Sequence, residues 1–242
     1  MAARSHPRSR RLRYQRTMEH PHPSPARVYR HPLVVRATHW IMALSMLVLV
    51  MSGLQIFNAH PALYASDAST FGHPLLALPK APWWLTLPAY QDLADGRRWH
   101  IFFAWVFGLC ALLYARWAWQ LVPNRADLSR ILPSLKEHLT PWRLRAERRA
   151  NPLQKSAYFA VVFSVAPLAI VSGLALSPAI DAWAPWLPAL FGGRQFARAW
   201  HFAAMLGLLG FIAGHLAMIA LTGPLNQLRS MITGWLDVGG AP

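Results

Sequence analysis

The chain has 242 residues, of which 55% are hydrophobic and 14% charged, whereas soluble domains carry about a quarter charged residues. Its 24 Lys+Arg against 9 Asp+Glu give a formal net charge of +15, so long apolar stretches must be segregated from a few strongly basic ones, the pattern of a polytopic membrane protein. The single cysteine, Cys110, lies in an apolar run; it excludes an intrachain disulfide framework, a Cys-rich zinc site and a thiolate-held iron–sulfur cluster, and it reads as a small buried hydrophobe.

Residues 1–30, rich in Arg, His and Pro without apolar periodicity, are expected to form a disordered basic tail that could also lie against anionic lipid. Ser9-Arg10-Arg11 is followed by no short apolar segment with a small-residue cleavage site, so the chain is read as uncleaved. A bundle domain is expected over 31–236, with a short tail at 237–242. Four windows reach the length of about 20 apolar residues that spans a bilayer core: 37–57, 99–122 with Arg116 as its one interruption, 156–177, and 199–222. The fold expected is therefore an all-α integral membrane protein, a bundle of four transmembrane helices. The apolar stretch 71–90 contains Pro74, Pro79, Pro82 and Pro88 and cannot span as a self-satisfied helix. It belongs to an external loop over 58–98, and a second loop covers 178–198.

Lys and Arg on alternate sides of these spans number 19 against 5. The positive-inside rule then puts both termini and the loop between the second and third spans in the cytoplasm. This accounts for the net charge without nucleic acid. Membrane lipid is the expected surrounding, and the inner membrane of a bacterium the expected location.

Of eleven histidines, four fall in spans: His39, His100, His201 and His215. Intramembrane ionisable groups are costly and usually face a bundle interior for a purpose, and none of the Asp or Glu lies within a span to pair with them. His201 and His215 are 14 residues apart; at 3.6 residues per turn they share a helix face at two depths separated by about 21 Å. The topology puts His39 near His215 on the cytoplasmic side and His100 near His201 on the outer side. Two stacked bis-imidazole sites in a four-helix bundle are what two haem b groups require, and iron with both axial positions filled by protein carries electrons rather than binding oxygen. Gly53, Gly108, Gly207, Gly210 and Gly214 could admit a flat macrocycle, although membrane helices use small residues for ordinary packing as well. His31, His60, His73 and His138 read as exposed loop residues. Trp40, Trp99 and Trp200 adjoin three of the ligands and suit an aromatic belt at the membrane surface. Arg36 and Arg98 are placed either to meet haem propionates or, for Arg36, simply to enforce topology. A histidine-lined metal transporter is the competing reading from another class.

The pieces Arg36-x-x-His39-Trp40, Ser52-Gly53, Arg98-Trp99-His100, Asn151-Pro-Leu-Gln154-Lys155 and His201 with His215 followed by Gly223, Met231 and Gly234 resemble a known group. It is the superfamily of bacterial cytochrome b561 and nickel-hydrogenase cytochrome b, with the formate dehydrogenase gamma and thiosulfate reductase cytochrome b subunits. The resemblance covers about residues 30–236. It implies haem b at both pairs, an exchangeable quinone beside the cytoplasmic-side haem and a catalytic partner docked at the outer face. Asn151, Gln154 and Lys155 would then border the quinone, although Asn151 followed by Pro152 also suits a helix N-cap. The long external loop is similar to that of cytochrome b proteins paired with a periplasmic molybdopterin oxidoreductase. A stand-alone b561-type oxidoreductase, such as one oxidising superoxide, is the alternative within redox chemistry.

Overall fold

The computed structural model describes residues 27–65, 68–138 and 152–238. Four helices are long and apolar enough to cross a membrane: α1 (Leu33–Asn58), α2 (Leu93–Ala118), a third over Pro152–Leu176 and a fourth over Arg194–Leu221. Each begins four to six residues before the apolar window that marks it, because polar residues at a helix end can reach the interface while their backbone remains helical. α2 starts with Asp92, whose side chain accepts the backbone N–H of Asp95 at 2.8 Å, an N-cap that places Arg97 and Arg98 inside the helix rather than in the loop.

Between α2 and the third span lie a turn at Trp119–Leu121 and two short helices, α3 (Arg125–Ser129) and α4 (Ile131–His138); His138, expected in a loop, closes α4. The third span, α5, contains a π-helical turn at Val161–Val165, two residues before Pro167. Pro167 has no N–H to offer the preceding turn, and a π-turn is one way a helix absorbs that loss. After α5 come α6 (Pro178–Trp183), α7 (Arg194–Leu221) and α8 (Pro224–Thr233).

Small and hydroxyl-bearing residues are prominent inside the bundle, and large apolar ones cover its outside. Thr38, Ser45 and Ser52, seven residues apart on α1, are buried, while Leu44, Leu47, Leu109, Leu112 and Leu216 are exposed. Small residues let membrane helices approach closely, and leucine there has no water to escape. α1 packs along α2, and α5 along α7, so the molecule consists of two helical hairpins.

Both ends of the bundle are closed by ordered chain. At one end, strands β2 (Ala62–Leu63) and β3 (Leu76–Ala77) pair antiparallel. The Asn58 side chain exchanges hydrogen bonds of 2.7 and 2.9 Å with the backbone of Ala81, and the Leu87 N–H reaches the Met51 carbonyl at 3.2 Å, so the proline-rich loop lies back on α1 and does not span. At the opposite end β1 (Arg27–Tyr29) pairs antiparallel with β4 (Trp235–Asp237). Residues 27–29 were expected in the disordered tail; they are a strand because the partner that satisfies their backbone lies about two hundred residues away, beyond the reach of any local pattern. Asp237 anchors the ladder through Arg27 at 2.9 Å and Arg229 at 2.8 Å.

Candidate haem-binding site

α7 carries His201 near one end of the bundle and His215 near the other. His201 faces His100 of α2 with ring centroids 6.0 Å apart, and His215 faces His39 of α1 at 6.2 Å. The pairs are those expected from depth. A metal placed between two imidazoles forms two bonds of about 2 Å, and each ring nitrogen lies about 1.1 Å from its centroid, so a shared metal needs centroids about 6.2 Å apart. Both pairs meet that spacing, and the donor set, two neutral nitrogens from facing helices, is that of bis-histidine haem iron.

The His100–His201 pair, the outer one in the expected topology, is oriented in detail. His100 Nδ1 lies 3.1 Å from the Leu49 carbonyl and 3.1 Å from Ser52 Oγ. His201 Nδ1 lies 2.9 Å from the Ala169 carbonyl and 3.2 Å from Ser172 Oγ. Each serine donates its own proton to the carbonyl four residues back, Val48 or Leu168, at 2.6 Å, so towards the histidine it accepts. The proton of each ring thus sits on Nδ1, and Nε2 keeps its lone pair for a ligand, the arrangement by which outer-shell groups orient metal-bound histidines. The residue after each serine is glycine. A Cβ added at Gly53 would come within 3.2 Å of His100 Cε1, and one at Gly173 within 3.0 Å of His201 Cε1, so only glycine lets the imidazole edge lie against the helix. Ser172-Gly173 escaped the sequence reading, although Ser52-Gly53-Leu54 repeats as Ser172-Gly173-Leu174.

The His39–His215 pair, the inner one in the expected topology, sits in an aromatic setting: Phe211 stacks on His215 at 5.8 Å, Tyr158 meets it edge-on at 6.4 Å, and Trp40 meets His39 at 5.3 Å. His39 Nδ1 is buried without a hydrogen-bond partner. Arg30 and Arg36 stand at this end, and each keeps a buried guanidinium nitrogen unpartnered. At this end Asp127 and Asp237 are engaged by Lys155, Arg27 and Arg229. His31 lies in the same cluster, and burial, aided by Arg30, His39 and Arg36, pushes its pKa down to about 4.

The remaining candidates divide. Arg36 donates to the Ile232 carbonyl, and beside it Trp40 Nε1 donates to the Met231 carbonyl at 3.1 Å. The backbone N–H groups of Arg30 and His31 reach the Gly234 carbonyl at 2.8 and 3.3 Å. The N-terminal segment thus clasps the carbonyl end of α8. Gly234 has φ +90°, and a Cβ there would come within 2.6 Å of the Tyr29 ring. Arg98 is highly exposed and bound to Asp95 at 2.7 Å; it is turned away from the outer pair because an acid one helical turn back is nearer than the bundle interior.

The arginine that does enter the outer end is Arg198. It donates to the His60 and Ala62 carbonyls and lies over the Phe57 ring at 5.3 Å. Its signal in the sequence was a charge three residues before His201. Lys155 is paired with Asp127 of α3 at 2.6 Å, and Gln154 is half-buried at the start of α5; Asn151 lies outside the described residues. Of the loop histidines, His60 is held at 3.0 Å by Tyr64.

The family model for prokaryotic cytochrome b561 matches residues 30–234. A relative from Azospira oryzae, named "Putative protein-methionine-sulfoxide reductase subunit YedZ1", is 31% identical over 216 residues, covering 84% of this chain and 96% of that protein. No solved structure matches the chain at a significant level. With the match running from the β1 end of the bundle to the close of α8, the chain belongs to the prokaryotic cytochrome b561 family, whose members bind haem b and carry electrons in the membrane.

Proposed function

We propose that this protein is a dihaem cytochrome b that passes electrons between a quinone pool on the cytoplasmic side and a redox partner on the outer side. The observation that carries the reading is the pair of opposed imidazoles at each of two depths, 6.2 and 6.0 Å between centroids. Bound there, each haem would supply a one-electron ferric–ferrous couple. The chain's part is to fix the ligands and keep water out. His39 and His215 hold the inner group; His100 and His201 hold the outer one.

The clasp of the N-terminal segment on α8 shields the inner pair, and the loop pinned by Arg198 shields the outer pair. Asn151 and Gln154 are the proposed quinone contacts. Lys155 is tied to Asp127 and serves that region by holding α3 against the start of α5. The relative named a reductase subunit supports a catalytic partner, which we place at the outer face beside the long external loop and take to be of molybdopterin type.

Haem per chain, measured by pyridine haemochrome on the purified protein, together with reduced-minus-oxidised spectra of His39→Ala and His100→Ala, tests the reading. Two haems in the parent, with a different one lost from each variant, are expected. A haem-free parent from haem-replete cells would overturn the reading, and one haem lost in only one variant would reduce it to a single site. Replacement of Asn151 should slow quinol-driven haem reduction without changing haem content.

A further inference from the structure

The two histidine pairs stand in different electrostatic surroundings, and the difference follows a pattern in the sequence. At the outer pair each Nδ1–H is shared between two acceptors, a backbone carbonyl and a serine hydroxyl whose own proton is already given away. The same device occurs twice, once on α1 towards α2 and once on α5 towards α7. A proton drawn away from Nδ1 raises the electron density at Nε2 and makes the ring a stronger donor, and a stronger axial donor stabilises ferric over ferrous iron. At the inner pair His39 Nδ1 has no acceptor, so nothing draws its proton away from the ring.

Resting on the dihaem reading, we infer that Ser52 and Ser172 are paired positioning residues that hold the outer haem at a lower potential than the inner one. A haem held at either site would take up one electron, ferric to ferrous, from the quinol or redox partner of the proposed function, with the serine and histidine protons remaining where they are. The first electron to enter the protein therefore rests at the inner site, whichever face it enters from.

The test is a potentiometric titration of the haem-loaded protein with dithionite and ferricyanide. The outer midpoint is identified as the one missing from His100→Ala. In the parent the outer midpoint is expected below the inner. Ser52→Ala with Ser172→Ala should weaken the ferric preference of the outer haem threefold to tenfold, a rise of about 30 to 60 mV at 59 mV per tenfold for one electron. The inner midpoint should stay in place, and Ser52→Thr with Ser172→Thr should restore the parent value. Each single variant leaves one serine and both carbonyls and should move about half as far, so the singles carry the test wherever the double variant sheds haem.

An outer midpoint above the inner in the parent overturns the inference, as does an outer haem that stays bound and unmoved in the alanine variants, or equal movement of both haems. A parent that binds no haem defeats the dihaem reading itself, an outcome distinct from these.

Discussion

Replacing Gly173 by alanine probes the outer site through a single methyl group. The added Cβ would lie 3.0 Å from His201 Cε1, 3.4 Å from Nδ1 and 3.9 Å from Nε2, whereas carbon atoms in comfortable contact are about 3.5–4.0 Å apart. The ring must therefore retreat by about 0.5 Å or more, and retreat stretches the 2.9 Å bond to the Ala169 carbonyl and the 3.2 Å contact with Ser172. Overpacking of this kind costs about 1–3 kcal/mol. Alanine in a helix recovers about 1 kcal/mol relative to glycine. The net loss of stability is thus roughly 0–2 kcal/mol, small enough for the bundle to survive, while the imidazole proposed to hold the outer haem is displaced.

The expected result is reduced occupancy and an altered low-spin ferric spectrum of the outer haem, read by haem content and electron paramagnetic resonance, with the inner haem unchanged. Gly53→Ala, where the approach to His100 Cε1 is 3.2 Å, should produce the same effect more weakly. A Gly173→Ala protein whose outer signature equals that of the parent would refute the argument that glycine is there for the ring.

Asp127 and Lys155 should behave as a unit: Lys155→Met or Asp127→Asn alone lowers thermal stability, while the double variant loses less than the sum of the two, as a double-mutant cycle would show. If Lys155→Met instead slows quinol-driven haem reduction and Asp127→Asn does not, the lysine serves the quinone rather than the pair. His31 gives a pH dependence whose sign follows from its depressed pKa. Between about 6.5, the unfolded value, and about 4 in the folded protein, the unfolded chain binds a proton that the folded chain refuses, so stability falls as pH drops through that window and levels off below it. His31→Gln should flatten that part of the thermal-stability profile, and an unchanged slope would show that His31 does not control it.

The spans and the histidine pairing were legible because both depend on periodicities that a sequence displays directly: about 20 apolar residues for a bilayer, and a 14-residue step that returns to the same helix face. Features with non-local causes were not. The β1–β4 ladder joins Arg27–Tyr29 to Trp235–Asp237 through three residues a side, too few for an alternating pattern. Arg98 read as a ligand contact because it adjoins His100, yet Asp95, one turn back, holds it outside. Arg198, three residues before His201, was the better placed arginine, and what distinguishes it is the pair of loop carbonyls it meets, set by the fold of 59–92 rather than by its neighbours in sequence. Reading histidines alone left α5 without a role, although Ser172-Gly173 repeats Ser52-Gly53 in full view.

That repeat gives the third span its function in the bundle. α5 has no histidine, yet its serine, its glycine and the Ala169 carbonyl hold His201 as α1 holds His100. The outer site is therefore built by all four spans: two supply ligands and two supply the acceptors and clearance that aim them. The π-turn at Val161–Val165 has a place in this arrangement. It widens the helix by one residue per turn and so changes the angular phase of everything after it, including Ser172 and Gly173 about two turns further on. It also lies against α7, where a Cβ at Gly207 would come within 3.2 Å of Val165. Pro167 makes an unbroken α-helix unfavourable at that point, and the phase that results is the one in which the serine hydroxyl and the bare glycine edge both face His201. The proline, the π-turn and the Ser–Gly pair are thus successive parts of one device, in which a local backbone irregularity sets the orientation of a ligand on the neighbouring helix.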